Sequence, residues 1–248
     1  MEFLSWKAPL EGKMDFDNVG LLVGRPNRPV ERVLVALDIV EDVIEEAIAM
    51  GAELIVSHHP MFFDLRSVTD MDGTGDRILT LAENGIAAIC MHTNLDAAEG
   101  GVNDALMAAL DCPVTGSLDW ETGIGRIGEY EEGIPMPAFL EHVKAALQSN
   151  GLRYHDAGHP VRNLAVCGGA GGSELMLAVE AGCDTYVTSD PKYDQFLEAK
   201  RLGLNLIDAD HFCTENVVIP VLQDWLREGF PALDVAVSHA HKQTAQFF

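Results

Sequence analysis

GAELIVSHHP, residues 51–60, decides the fold. A glycine of the kind that ends helices is followed by an apolar run long enough for one buried strand, then by a polar pair closed with proline. The same order returns in GCDTYVTSDP at residues 182–191, with an offset of 131 residues held from Gly51/Gly182 through Pro60/Pro191. A second match sets GIAAICMHTNLD (85–96) beside GLNLIDADHFCTE (203–215), where helix, glycine and strand again lead into a histidine-containing segment. The chain reads as two similar α/β halves.

Outward from this stretch, short apolar runs alternate with helical periodicity. Val33–Ala36, Leu54–Val56 and Ile86–Met91 predict strands, and Val43–Met50 and Ile78–Asn84 predict helices. Past Pro113 the pattern loosens: Ile124–Tyr130 is expected as an edge strand and Pro137–Leu147 as a helix with proline in its first turn. Alternation resumes at Leu164 and runs into a helix near Thr214. The expectation is an α/β protein of two similar lobes with mostly parallel sheets. Lobe one covers about residues 1–118 plus a C-terminal segment, and lobe two about 119–210.

Composition narrows the function. The chain has 248 residues, 48% of them hydrophobic, enough for a full core. With 39 acidic against 16 basic residues the formal charge is −23, which repels phosphate backbones and anionic lipid, so no direct nucleic-acid or membrane partner is expected. Apolar runs fall far short of the roughly 20 residues of a membrane span, and the start, MEFLSWKAPLEGK, lacks the plan of a secretory signal. A cytoplasmic location is expected. Five scattered cysteines without a CxxC read as reduced core thiols, Cys213 included despite its nearness to His211.

In parallel α/β sheets, polar residues just past the carboxyl ends of strands collect in one crevice. His58, His59, His92, Asp96, Asp190, Asp210 and His211 all hold such positions. Neighbouring side chains on a strand point to opposite faces, so His58 and His59 serve one site only if the backbone turns there, as Pro60 suggests; otherwise they are a solvated or hydrogen-bonded pair. His211-x-x-x-Glu215 has the spacing of one helical face and offers an imidazole plus a carboxylate able to bridge, the bland reading being an exposed His and an early-turn acid. Asp96 reads as a carboxylate ligand on a loop, or as a cap for a helix starting near Val102, and His92 as a hydrogen-bonding partner of a ligand. Three histidines and two carboxylates match the ligand count of a dinuclear centre: metal ligands His58, His59, Asp96, His211 and Glu215, with two divalent ions (zinc, manganese or iron) per subunit. GGAGG at 168–172 lacks the spacing of a phosphate cradle and reads as a tight turn, and no GxSxG supports a nucleophilic serine.

DNVGLLVG (17–24), the strand ending in His58-His59-Pro60, His92–Asp96, TSDPKYDQF (188–196) and DHFCTE (210–215) together resemble the GTP cyclohydrolase 1 type 2-like family, the NGG-interacting factor three-like dinuclear metal-centre proteins, over nearly the whole chain. The resemblance implies a two-lobed subunit with a dinuclear site in the cleft between the lobes and the same five ligands by position, with Glu215 bridging. It further implies a toroidal homohexamer in the short form, since Leu118–Pro137 leaves no room for an inserted domain. One departure is Asp194 after Tyr193, where relatives often carry another histidine.

The expected function is a metal-dependent hydrolase acting on a nucleotide-like small molecule, with His92 and Asp190 as proton-handling catalytic residues. The alternative is a non-catalytic hexameric metal-binding adaptor or a metal-storage and chaperone-like protein.

Overall fold

The computed structural model describes residues 1–247. These divide into two units: Met1–Ala98 with Ile219–Lys242, and residues 99–218 with the stretch from Gln243 onward.

Unit one contains α1 (Glu2–Lys7), β1 (Gly20–Val23), β2 (Arg32–Ala36), α2 (Glu41–Met50), β3 (Leu54–Ser57), α3 (Gly73–Asn84), β4 (Ala87–Cys90) and α4 (Thr93–Ala97). Unit two follows with α5 (Val102–Ala109), β5 (Val114–Ser117), β6 (Arg126–Ile134), α6 (Met136–Ala146), β7 (Arg153–His155), β8 (Val161–Val166), α7 (Leu175–Glu180), β9 (Thr185–Thr188), α8 (Tyr193–Leu202), β10 (Asn205–Asp208) and α9 (His211–Glu215). The chain then returns to unit one with α10 (Ile219–Gly229) and β11 (Asp234–Val237).

The sheet of unit one runs β1-β4-β3-β2-β11, parallel throughout except for β1 against β4. That of unit two runs β5-β6-β8-β9-β10-β7, with β8, β9 and β10 parallel and the flanking strands antiparallel. The shared core is therefore a parallel trio in each unit, β2-β3-β4 and β8-β9-β10. Burial explains the apolar runs: β4, β9 and β10 are buried at every position. Leu34, Ile55 and Ala88 pack beneath Val43, Ile44 and Ala47 of α2 and Leu81 of α3. In unit two, Leu164, Val166, Val187 and Ile207 meet α5 and α6 on one face, and Ala165, Tyr186 and Leu206 meet α7 and α8 on the other. Each fully buried Leu or Ile contributes roughly 1.5–3 kcal/mol.

The repeat extends to individual hydrogen bonds. β3 maps on β9 at the 131-residue offset, and β4 with α4 on β10 with α9 at an offset of 118 residues. Glu53 N–H donates to Arg32 O at 3.1 Å and Ala87 N–H to Glu53 O at 2.9 Å; their counterparts are Asp184 N–H to Asn163 O at 2.9 Å and Asn205 N–H to Asp184 O at 3.0 Å. Even the side chains agree. Glu53 accepts the amides of Glu31 and Arg32, as Asp184 accepts those of Arg162 and Asn163.

Two expectations need correction. The strand expected at Ile124–Tyr130 is β6, and it lies inside its sheet between β5 and β8. The outer strand is Val114–Ser117, whose Thr-Gly-Ser composition and exposure hide it from an apolar pattern. The units also part at Ala98/Glu99 and Val218/Ile219 where the sequence suggested about 118 and 210. Residues 99–118 go with unit two because Leu106 and Met107 of α5, and Leu110 just after it, pack in its core.

Among the described residues no helix is long and apolar enough to cross a membrane. All five cysteines are free thiols. Cys213 lies in the apolar cluster with Leu106 and Phe139, and burial pushes its thiol up to about 12, so it belongs to the core.

Candidate metal centre

In unit one the backbone leaves the strand directly after Ser57. Ser57 Oγ donates to His59 O at 2.8 Å and His59 N–H donates to Leu37 O at 2.9 Å, a turn that overrides strand alternation. The His58 and His59 rings stand 4.9 Å apart, with His92 at 5.2 Å from His58 and 5.5 Å from His59. One ligand nitrogen of each lies within 4.8 Å of the others, so these three imidazoles form a candidate metal-binding group.

Each ring is held from behind. His58, fully buried, donates from Nδ1 to Met91 O at 2.9 Å. A carbonyl only accepts, so Nδ1 carries a proton, and in the neutral form of the ring the lone pair is on Nε2. His59 Nδ1 meets Asp38 Oδ1 at 2.8 Å, and His92 Nδ1 meets Asp17 Oδ1 at 2.8 Å. The other oxygen of Asp17 takes the Thr93 N–H at 2.9 Å and the Thr93 hydroxyl at 2.5 Å. Burial alone would raise the Asp17 pKa, but the hydrogen bonds from His92 and Thr93 hold this carboxyl far below the usual carboxylate range.

Asp96, expected as a carboxylate ligand on a loop, lies instead on a helix. It sits in α4, begun at His92 and pinned through Thr93 to Asp17, and the helix starting at Val102 takes no side-chain cap. Asp96 Oδ1 stands 3.7 Å from His58 Nε2. With the ring neutral, a lone pair and a carboxylate oxygen at that distance repel unless a positive charge sits with them, which suits a cation.

In unit two α9 starts at His211, behind Asp210 at φ 74°, whose side chain accepts the Cys213 N–H. The i,i+4 spacing acts as read: His211 Nε2 lies 3.1 Å from Glu215 Oε2. His211 Nδ1 meets Asp190 Oδ2 at 2.7 Å, with Asp190 held at φ 53°. Left-handed backbone is uncommon outside glycine, and its recurrence at two aspartates beside one imidazole marks a site where geometry overrides ease of folding.

The glycine-rich loop is more than a turn. Gly169, at φ +67°, donates its N–H to Thr214 Oγ1 at 3.0 Å, and a Cβ on it would fall 2.1 Å from Glu215 Oε1 and 3.3 Å from His211 Nε2. The bare backbone is the wall against which the Glu215 carboxylate rests, and Glu215 is only 4% exposed.

The donor set therefore fits divalent cations. Every histidine named as a ligand has Nδ1 engaged by a carboxylate or carbonyl, the arrangement that orients imidazole ligands of metals and raises their basicity. Sequence reasoning missed Asp38, took Asp17 only as part of DNVGLLVG and left Gly169 as a turn residue. Asp38 lies just past β2, the same strand-end position that singled out the others, and was legible on that ground alone.

Comparison with known proteins agrees with this architecture. A profile of the Duf34/NIF3 (NGG1p interacting factor 3) family matches residues 1–245. The GTP cyclohydrolase 1 type 2 homolog of Clostridium perfringens is 34% identical over 248 residues, covering 97% of this chain and 95% of that protein. The Lactococcus lactis protein of the same name is 35% identical over 246 residues, with 97% and 94% covered. Among solved structures, the Bacillus cereus protein related to NIF3 gives a TM-score of 0.93 at 26% identity, over 100% of this chain and 97% of that one. A match that spans both halves of the repeat, with relatives a third identical along almost their whole length, means that the chain belongs to the Duf34/NIF3 (NGG1p interacting factor 3) family.

Proposed function

We propose that this protein is a dinuclear metal-dependent hydrolase of a nucleotide-like substrate, with His58, His59, Asp96, His211 and Glu215 as ligands of two divalent cations. The observation that carries the reading is the repeated anchoring of imidazole Nδ1: His58 on Met91 O, His59 on Asp38 and His211 on Asp190. Such pairs orient a ring for work at its other nitrogen. When bound, two such cations supply Lewis acidity and lower the pKa of water.

The protein's own residues do the rest. Glu215, buried beside His211, is the carboxylate suited to sharing. His92 is backed by the ionised Asp17 and is placed to take and return a proton at its ring, with Asp190 holding His211. A nucleotide-like substrate agrees with the name shared by the relatives, GTP cyclohydrolase 1 type 2 homolog. It also agrees with two exposed rings beside the imidazoles. Phe63 is 5.8 Å from His92 and Phe16 is 6.0 Å from Phe63, the two being 55% and 64% exposed, so both offer faces to a planar base.

The test is elemental analysis of the purified protein, followed by a screen of nucleotides and phosphoesters with Glu215→Gln alongside. About two metals per chain and turnover lost in Glu215→Gln are expected. Phe63→Ala should raise KM about tenfold, the loss of one aromatic stacking contact, with kcat little changed. Turnover that survives Glu215→Gln overturns the proposed mechanism, and metal without turnover on any substrate favours the adaptor or storage role.

A further inference from the structure

Asp38 carries a second imidazole. Its Oδ1 meets His59 Nδ1 at 2.8 Å, and its Oδ2 meets His241 Nε2 at 3.3 Å. The backbone settles the proton on His241. The Asp38 N–H donates to His241 Nδ1 at 3.4 Å, and an amide N–H only donates, so Nδ1 accepts and the neutral ring carries its proton on Nε2, facing the carboxylate. One residue is thus gripped from both its backbone and its side chain by a single histidine.

His241 is brought there by a strap after β11. Glu46 of α2 accepts the Ser238 hydroxyl at 2.5 Å, the His239 N–H at 3.0 Å and the Ala240 N–H at 3.3 Å, and Ser238 Oγ in turn accepts the His241 N–H at 3.4 Å. Burial works against the charge on Glu46, but these bonds hold its pKa below the ordinary glutamate range, so the strap is tied by a carboxylate. A lone surface histidine needs no such fastening. Here four bonds converge to set one ring on Asp38.

We propose that His241 is a positioning residue of the metal centre: through the shared Asp38 carboxylate it fixes the orientation and tautomer of His59. This rests on His59 being a metal ligand as proposed above. With His241 in place, rotation of Asp38 away from His59 would break its contact with His241, which favours keeping the His59 proton on Nδ1 and the lone pair on Nε2. Without it, the Asp38 carboxylate loses one of the groups that hold it, and His59 binds a cation less tightly although no ligand has been removed.

The experiment is titration of the metal-free, full-length protein with cobalt(II), followed by its ligand-field absorption, for the native chain, His241→Phe, His241→Gln and Glu46→Ala. Phenylalanine keeps the ring without the donor, whereas glutamine sets an amide N–H near where Nε2–H stands. The native chain should take up about two equivalents. His241→Phe should weaken one of them by about 10- to 100-fold and alter its absorption band, Glu46→Ala should act in the same direction, and His241→Gln should restore most of the affinity. In an Asp38→Asn background, His241→Phe should add no further loss, because both act through one carboxylate. Native affinity in His241→Phe overturns the proposal, as does an equal loss in the Phe and Gln variants with a lowered melting temperature of the metal-free protein, which marks a packing role. A native chain that takes up no cobalt(II) overturns the metal reading itself, and the two failures are thereby told apart.

Discussion

The segment from β2 to α4 and the segment from β8 to α9 share a backbone and differ at the ends of their strands. Both are β-α-β-α-β-α units whose crossovers repeat hydrogen bond for hydrogen bond, down to a carboxylate, Glu53 or Asp184, that accepts amides at the start of the first strand. Past β3 stand His58 and His59; past β9, at the same offset, stand Ser189 and Asp190. Before α4 stands His92, and before α9 stands Asp210 with His211 as the first helical residue. Position 38 is an aspartate that backs His59, while position 169, its counterpart by count, is a glycine that makes room for Glu215. Identical scaffolding thus carries an imidazole-rich set in one half and an imidazole-carboxylate pair in the other. A packed strand tolerates little change, whereas the residue after it is free to diverge in chemistry.

Substitutions that break this difference are ordered by what they remove. Deleting a ligand ring costs most. Structural zinc sites hold roughly 10–16 kcal/mol over four ligands, so His58→Ala and His211→Ala should each cost about 3 kcal/mol of cation binding, roughly a hundredfold or more in cobalt(II) titration. Equal losses from the two halves would show that the duplicated units contribute alike, and a loss confined to one would show that a single half holds the metal.

Removing the group behind the ring costs less. Asp38→Asn and Asp190→Asn should lower cation affinity by about 10- to 100-fold. Asp38 should lie at the upper end, since it serves two histidines and its side chain is 35% exposed against 57% for Asp190. The reverse order would place the better-anchored ligand in unit two.

Gly169→Ala tests why the counterpart of Asp38 bears no side chain. The left-handed backbone should cost about 1–2 kcal/mol of stability in urea unfolding. The larger effect falls on Glu215, whose flexible carboxylate end yields to the new Cβ, so cation affinity drops while the protein stays folded. Wild-type affinity in this variant would show that Glu215 needs no glycine wall.

The smallest effect concerns what the halves share. Glu53→Ala should cost about 1 kcal/mol, the net worth of the amide hydrogen bonds it loses. Bonds from the Arg32 amide first, with that of Glu31 and the Arg32 charge, lower the Glu53 pKa against the effect of burial. The stabilisation is therefore full above the ordinary glutamate pKa of about 4.3 and fades as pH falls through the lower folded value. Urea midpoints of native and variant should differ at pH 7 and converge in acid, and a constant gap would mean the carboxylate's charge contributes nothing.

Much of this was legible in residues alone. GAELIVSHHP and GCDTYVTSDP share an offset because β3 and β9 are both buried on two faces, and burial leaves an apolar signature that survives divergence. His211 and Glu215 were readable as one helical face because 3.6-residue periodicity is local. Asp96 was harder. Its helix, α4, is five residues long and is tied to Asp17, a partner some 80 positions earlier, so no local pattern announced it.

Sequence by itself determined which segments are buried, where strands stop, that the chain repeats, and which imidazoles and carboxylates follow the strand ends, since all of these depend on neighbours a few positions apart. Tertiary structure alone decided that Asp38 and Asp17 stand behind His59 and His92, that Gly169 walls in Glu215, and that His241 reaches Asp38 from about 200 positions away. Such pairings are set by how sheets stack their strand ends and by where a strap is fastened. Hydrogen-bond partners chosen by packing leave no periodicity along the chain.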